Sequence, residues 1–251
     1  MKKIFLYICF SAIFISGYTQ SYPQMENTIR VMSYNIQNGL GMDNKVDYQR
    51  IADVITGIAP DVVALQELDS VTNRRGGVDV LSRLAALCAM YPVYGASIPY
   101  DGGKYGIGVL SKQKPLLWKR IPLLGREEAR SLLMVEFKDF VLCNTHFSLN
   151  EEDRLASVDI INRAVKDFDK AVILAGDINA KPESPVLEAF QQNWITLSNP
   201  RQFTFPSDEP DRTIDYILGY TPKTTHTLFC KPACLLSLWH PTTCRFLPTC
   251  A

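Results

Sequence analysis

Short apolar runs that each stop at a polar residue constrain this chain more than any other feature. Ala171-Val-Ile-Leu-Ala-Gly176 leads into Asp177 and Asn179. A run of that length closed by a glycine reads as a buried strand. Arg30-Val-Met-Ser-Tyr-Asn35, Asp61-Val-Val-Ala-Leu-Gln-Glu67 and Phe140-Val-Leu-Cys-Asn-Thr-His146 end likewise on Asn35, Glu67 and His146. Thr213-Ile-Asp-Tyr-Ile-Leu218 carries Asp215 inside a further strand. Polar groups at the carboxyl ends of buried strands sit where open α/β sheets collect their active sites. Asp177 and Asn179, two apart, project from one side of an extended chain.

Between these runs the period changes to that of helices. Val46, Ile51, Ile55 and Ile58 predict a helix over 46–59 that stops at Pro60, and Leu81, Leu84 and Leu87 predict another over 78–88. A long helix is expected over 151–168. Strands are expected over 91–96, 105–111, 116–124 and 131–137, the first two flanking a Gly102-Gly103 turn. Helices and strands alternate at both ends with a run of strands between, which predicts α/β architecture with sheets packed face to face and helices outside. No repeat, linker or composition break divides residues 28–222.

Lysine plus arginine and aspartate plus glutamate both number 26, so no net field draws polyanions to the surface. That balance weakens a long nucleic acid as substrate, since such binders show a basic excess. Residues 1–20 open on Met1-Lys-Lys and continue with an apolar core, the pattern of a secretory signal; an uncleaved anchor is the alternative, for which the stretch is short. Export to the periplasm or medium is expected, with 21–27 a short linker. No cysteine stands at the cleavage region, which argues against a lipid anchor. Cys88 and Cys143 read as buried small hydrophobes, whereas Cys230, Cys234, Cys244 and Cys250 crowd the last 22 residues.

A lone carboxylate at a strand end, here Glu67, suits magnesium, which keeps several waters; the bland alternative is a capping or salt-bridging glutamate. Asn35 serves as a neutral second ligand or phosphate contact, or else starts a turn before Gly39. His146 suits phosphate binding, though a lone histidine is more often a satisfied core residue. Asp215 inside an apolar strand is costly without a partner: it orients a histidine or pairs with a nearby cation. Tyr105 offers a phenol to a phosphate or simply fills the core. Arg130 and Arg154 are weaker phosphate contacts, solvated or ion-paired by default. With three histidines and no Cys/His cluster a zinc site has no source. No nucleophile elbow or phosphate-cradling glycine loop is present.

Ser33-Tyr-Asn35, Gln66-Glu67, Tyr105-Gly-Ile-Gly108, Thr145-His146, Gly176-Asp-Ile-Asn179 and Ile214-Asp-Tyr216 stand in one order over 28–220. That ordered set resembles the exonuclease–endonuclease–phosphatase superfamily of metal-dependent phosphoesterases. The resemblance implies a four-layered α/β sandwich, two packed mixed β-sheets flanked by helices, and Mg²⁺-dependent hydrolysis of a phosphoester, with Mn²⁺ as a substitute. It implies that Glu67 holds the metal with Asn35 beside it. Asp177 would position or deprotonate the attacking water, and Asn179, Asn35, His146 and Tyr105 would contact the phosphate. Asp215 would orient a second histidine in a terminal Ser-Asp-His-x-Pro motif. The substrate is a small phosphoester, a lipid head group or a nucleic acid, with no stable protein partner and a monomeric chain. Specificity is expected in loops 69–77, 99–104 and 126–130.

The terminal motif is absent; Leu238-Trp-His-Pro-Thr-Thr-Cys-Arg245 stands there, and His240 has no aspartate before it. Read one base early, codons for this stretch permit Val-Ala-Ser-Asp-His-Leu-Pro, and the shift also removes the cysteine cluster. Residues 223–251 are therefore expected to be an out-of-frame tail, with a frameshift near 223–227. A genuine disulfide-bearing tail is the rival. As written, the chain would be an impaired phosphoesterase; the alternative is a non-catalytic member of the fold that at most binds a phosphorylated ligand.

Overall fold

Two pairs of parallel strands, each joined by a crossover helix, organise the molecule. In the computed structural model β1 (Ile29–Asn35) lies parallel to β2 (Val62–Ser70), with α1 (Tyr48–Ile58) between them in sequence. β7 (Phe140–His146) lies parallel to β8 (Ala171–Asp177) across α3 (Glu151–Val165). The described residues are 28–221 and the backbone of Ala233–Cys234 and Thr242–Phe246. The segments expected to be a signal and a linker, His240 and the cysteine-rich tail, apart from those two short backbones, lie outside them.

The remaining strands, all antiparallel to their neighbours, complete two sheets. β3 (Tyr91–Tyr100) and β4 (Gly103–Ser111) extend the first, and Ala233–Cys234 (β11) and Thr242–Phe246 (β12) flank β1, giving the order β11-β12-β1-β2-β4-β3. β5 (Leu117–Leu123), β6 (Arg130–Glu136), β9 (Trp194–Thr196) and β10 (Asp215–Tyr220) complete the second, ordered β5-β6-β7-β8-β10-β9. Asp215 is thus the first residue of its strand and not an interior one. The helix α2 (Val80–Cys88) and a short α4 (Pro185–Phe190) complete the elements.

Strand periodicity separates three apolar layers. Met32, Val63 and Leu65 pack with Ile51, Ile55, Leu81 and Leu84 of α1 and α2. Their neighbours Val31, Val62 and Ala64 face inward against Leu133, Leu142, Ile173 and Ile217. On the far side Val141, Cys143 and Leu174 meet Val158, Ile161 and Phe190 of α3 and α4. The result is the expected helix–sheet–sheet–helix sandwich, each layer sustained by aliphatic burial worth roughly 1.5–3 kcal/mol per side chain. Cys143 is buried as expected; Cys88 is half-buried.

Local chemistry sets the helix ends. Asp47, Asp79, Asn150 and Ser184 each cap a helix by accepting a backbone N–H. α1 stops where Ala59 takes a left-handed conformation just before Pro60. Acidic Glu151, Glu152 and Asp153 occupy the first turn of α3, where the helix dipole favours them.

One polar ladder crosses the apolar inner layer. Asn144 donates from Nδ2 to the carbonyls of Leu65 (2.9 Å) and Gly108 (2.7 Å) and accepts at Oδ1 from Gln66 Nε2 (2.8 Å). Gln66 also reaches Ser33 Oγ at 3.4 Å, while its own Oε1 finds no partner among the described residues. Gln66 and Asn144 are fully buried. This ladder ties β2 to β7, and Glu67 and His146 lie immediately beyond it.

Candidate active site

Both parallel pairs point their carboxyl ends the same way, so Asn35, Glu67, His146 and Asp177 finish side by side. Alternation explains which way they face. Asn35 shares the inward parity of Val31 and Ser33, His146 that of Leu142 and Asn144, and Asp177 that of Ile173 and Ala175. Tyr105 follows Ile107 and Val109, and Asp215 follows Ile217. The side chains therefore line the open end of the inner layer.

Glu67 breaks that rule by construction. An uninterrupted β2 would aim it with Val63 and Leu65 at the helices. The pairing of β2 with β4 shifts between Leu65 and Leu68, and Glu67 sits at that bulge with φ 60°. Leu68 then resumes the outward face, leaving Glu67 free to turn into the site. A left-handed conformation costs a non-glycine residue about 1–2 kcal/mol, strain of the kind held at functional sites.

Asn35 joins the two sheets. Its Nδ2 lies 2.8 Å from Glu67 Oε1 and 3.3 Å from Asp177 Oδ2, while its Oδ1 accepts the Gln37 N–H. Asp177 Oδ1 accepts the Asn179 N–H at 2.9 Å. Asn179 is itself left-handed, φ 50°, and donates from Nδ2 to the Phe147 carbonyl. Asp177 and Asn179 thus share the site through an Asx turn, not by projecting from one extended strand as their spacing suggested. Gly176 permits the closeness of β7 and β8, because a Cβ there would collide with the Thr145 carbonyl.

The electrostatics pull the titratable groups apart. Burial raises the Asp177 carboxyl to about 6, against the Asn179 and Asn35 hydrogen bonds and the Arg130 charge, which favour ionisation. Burial and the nearby Arg130 lower the His146 imidazole to about 4, so the ring is neutral near pH 7. The 3.7 Å between His146 Nε2 and Asp177 Oδ2 is consequently no ion pair. Asp215 is pushed well above the usual carboxylate range by burial and by Asp177, its register partner across β8 and β10. It gains Thr204 as a hydrogen-bond partner and no Lys or Arg among the described residues. Burial and the Glu67 charge hold the Tyr105 phenol far above its ordinary value, as a donor.

Of the two arginines weighed as weak phosphate contacts, Arg154 keeps a structural role and Arg130 adds one contact to its ion pairs. Arg130 is ion-paired, to Glu127 and Glu128, yet its Nη1 also lies 3.3 Å from His146 Nδ1. Arg154 is spent on the carbonyls of Ser148 and Leu149. Arg74, not anticipated, makes a two-point contact with buried Asp69 and stands over the rings of Tyr100 and Tyr105, at 4.4 and 5.3 Å. Only its place in loop 69–77 signalled it.

Among the described residues no three His, Cys, Asp or Glu side chains gather into a metal cage. Glu67, with the Asn35 amide beside it and Asp177 across from it, is an oxygen-rich, weakly caged set. That suits a hard cation retaining most of its waters, not zinc.

Strand-end acid, amide and imidazole at the mouth of a helix–sheet–sheet–helix sandwich define the architecture of a phosphoesterase. The chain belongs to the Endonuclease/Exonuclease/phosphatase family, whose model matches residues 32–237. Solved structures share the fold. An endonuclease/exonuclease/phosphatase from Bacteroides vulgatus is 19% identical with TM-score 0.68, over 87% of this chain and 97% of that one. The human Nocturnin catalytic domain, with bound sulfate, is 20% identical with TM-score 0.65, over 88% and 93%. The Bacteroides thetaiotaomicron mannosyl-6-phosphatase is 15% identical with TM-score 0.62, over 87% and 96%. Comparison with curated protein sequences gives no match.

Proposed function

We propose that this chain is an exported, divalent-metal-dependent phosphoesterase acting on a small phosphoester. The convergence of Asn35, Glu67, His146 and Asp177 from two sheets carries this reading. A Mg²⁺ ion held by Glu67, with Asn35 beside it, would lower the pKa of bound water and offset charge developing on the phosphoryl group. Asp177 Oδ2 is the acceptor for the proton of the attacking water, with a raised carboxyl matched to that task. The Asn179 side chain, the Tyr105 phenol and His146 would donate to phosphoryl oxygens. As the new P–O bond forms the ester P–O bond breaks, and the departing alkoxide takes a proton from solvent.

Neutral net charge favours a small phosphoester, such as a sugar phosphate, or a lipid head group over long DNA. Turnover of sugar phosphates, dinucleotides and sphingomyelin is compared with and without EDTA. Metal-dependent turnover that disappears in Glu67→Ala and Asp177→Ala supports the reading; equal turnover in those variants sinks it.

A second reading, a catalytically silent member of the fold, is favoured by Asp215. Its burial with no Lys or Arg partner among the described residues suits a site from which a histidine has been lost, as the frameshift proposed for residues 223–251 would have it. Resequencing the gene from codon 215 onward tests this. A one-base change restoring Ser-Asp-His-x-Pro supports an intact enzyme; the frame as written leaves a chain slower by on the order of thousands-fold.

A further inference from the structure

We propose that Arg130 is a positioning residue that fixes His146 as the Nε2–H tautomer, making the ring a hydrogen-bond donor opposite Asp177. The catalytic meaning of this assignment rests on the phosphoesterase reading; the tautomer itself does not. A guanidinium has donors only. With Arg130 Nη1 3.3 Å from His146 Nδ1, that ring nitrogen must accept, and the proton of the neutral ring is left on Nε2.

The guanidinium cannot swing away readily. Its side chain is 9% exposed, and it donates from Nη1 to Glu128 Oε1 (3.0 Å) and from Nη2 to Glu127 Oε1 (3.3 Å). Glu127 in turn accepts from Ser148 Oγ (2.7 Å) and the Leu149 N–H (2.8 Å), in the loop that follows His146. Loop 126–130 therefore clamps the histidine from two directions, by its ring nitrogen and by the backbone beyond it.

On the other edge, Nε2 lies 3.7 Å from Asp177 Oδ2. That is too long for a direct hydrogen bond and leaves the two atoms facing one guest. A donor and an acceptor aimed at the same point divide the labour. Nε2–H takes a phosphoryl oxygen, and Oδ2 takes a hydrogen of the attacking water. The charged groups around the ring are Arg130, Asp177, Glu67 and Glu127. Of these, Arg130 is the group in hydrogen-bond reach of Nδ1.

The test is ¹⁵N NMR of imidazole-labelled protein at neutral pH, without substrate. Three histidines keep the spectrum simple, and the His146 signals are those missing in His146→Gln. The expected pattern is an unprotonated Nδ1 and a protonated Nε2, retained in Arg130→Lys and lost to tautomer mixing in Arg130→Met. An Nδ1–H tautomer or an imidazolium in the native protein overturns the proposal. So does an unchanged pattern in a folded Arg130→Met. If that variant does not fold, the native spectrum and Arg130→Lys still decide. Absence of turnover beside the expected spectrum would refute the phosphoesterase reading and leave Arg130 its role.

Discussion

Substituting Asn144 by leucine tests how the sandwich is held together beneath its site. Leucine shares the branched heavy-atom skeleton of asparagine, so the change removes hydrogen bonds while adding modest bulk. Three partners are stranded in the apolar inner layer: the carbonyls of Leu65 and Gly108 and the Gln66 amide N–H. Each unsatisfied buried group costs about 1–3 kcal/mol, so Asn144→Leu should cost roughly 3 kcal/mol or more. That is a large part of the ~5–15 kcal/mol typical of a domain. Gln66→Leu differs. It strands the Asn144 acceptor, but it also removes Gln66 Oε1, which is buried with no partner among the described residues. Its cost should stay below ~1.5 kcal/mol, by the same per-group figure. Urea unfolding of both single variants and the double variant gives the two costs and their coupling. Should Gln66→Leu destabilise as much as Asn144→Leu, the assignment of Oε1 as an orphan is wrong.

At the bulge, Glu67→Gly should be more stable than Glu67→Ala by about 1 kcal/mol, since glycine accepts the left-handed conformation without strain; equal thermal midpoints would refute a strained Glu67. Gly176→Ala drives a methyl into the Thr145 carbonyl. It should cost roughly 1–3 kcal/mol as overpacking and slow turnover by parting Asp177 from His146, both readable from melts and rates. Burial opposes ionisation of Glu127, but Ser148, Leu149 and Arg130 outweigh it and hold the carboxyl at about 2 against an ordinary 4.5. Its contribution to stability is therefore complete above pH 4.5 and lost as pH falls toward 2. Glu127→Gln should flatten that part of the acid limb in urea midpoints taken across pH, and an unchanged limb would count against the clamp on His146.

Most of the layer arrangement was legible because apolar periodicity encodes it directly. Residues 171–176 could hardly be anything but a buried strand, and Asp177 followed as its polar end. Other features resisted for physical reasons. Six-residue α4 and three-residue β9 are too short to build a period. The left-handed Asn179 departs from strand geometry through an Asx turn that spacing alone does not announce. The inward aim of Glu67 depends on a bulge, and nothing local in Leu65-Gln-Glu-Leu68 marks one. Arg130 read as an ordinary ion-paired arginine because its second contact, His146, lies on a different strand. Ordered motifs found the site where single residues could not, since each motif is one strand end of the same opening.

Asn35 and Glu67 belong to one sheet, His146 and Asp177 to the other, and no single sheet holds a working set. Turnover is thus a gauge of the distance between the sheets. Any agent that lets the sandwich breathe, whether warmth, pressure or a wedge in the inner layer, should silence the protein while its helices and strands still stand. Cut between β4 and β5, the molecule would become two mute fragments whose reunion could be followed by the return of chemistry.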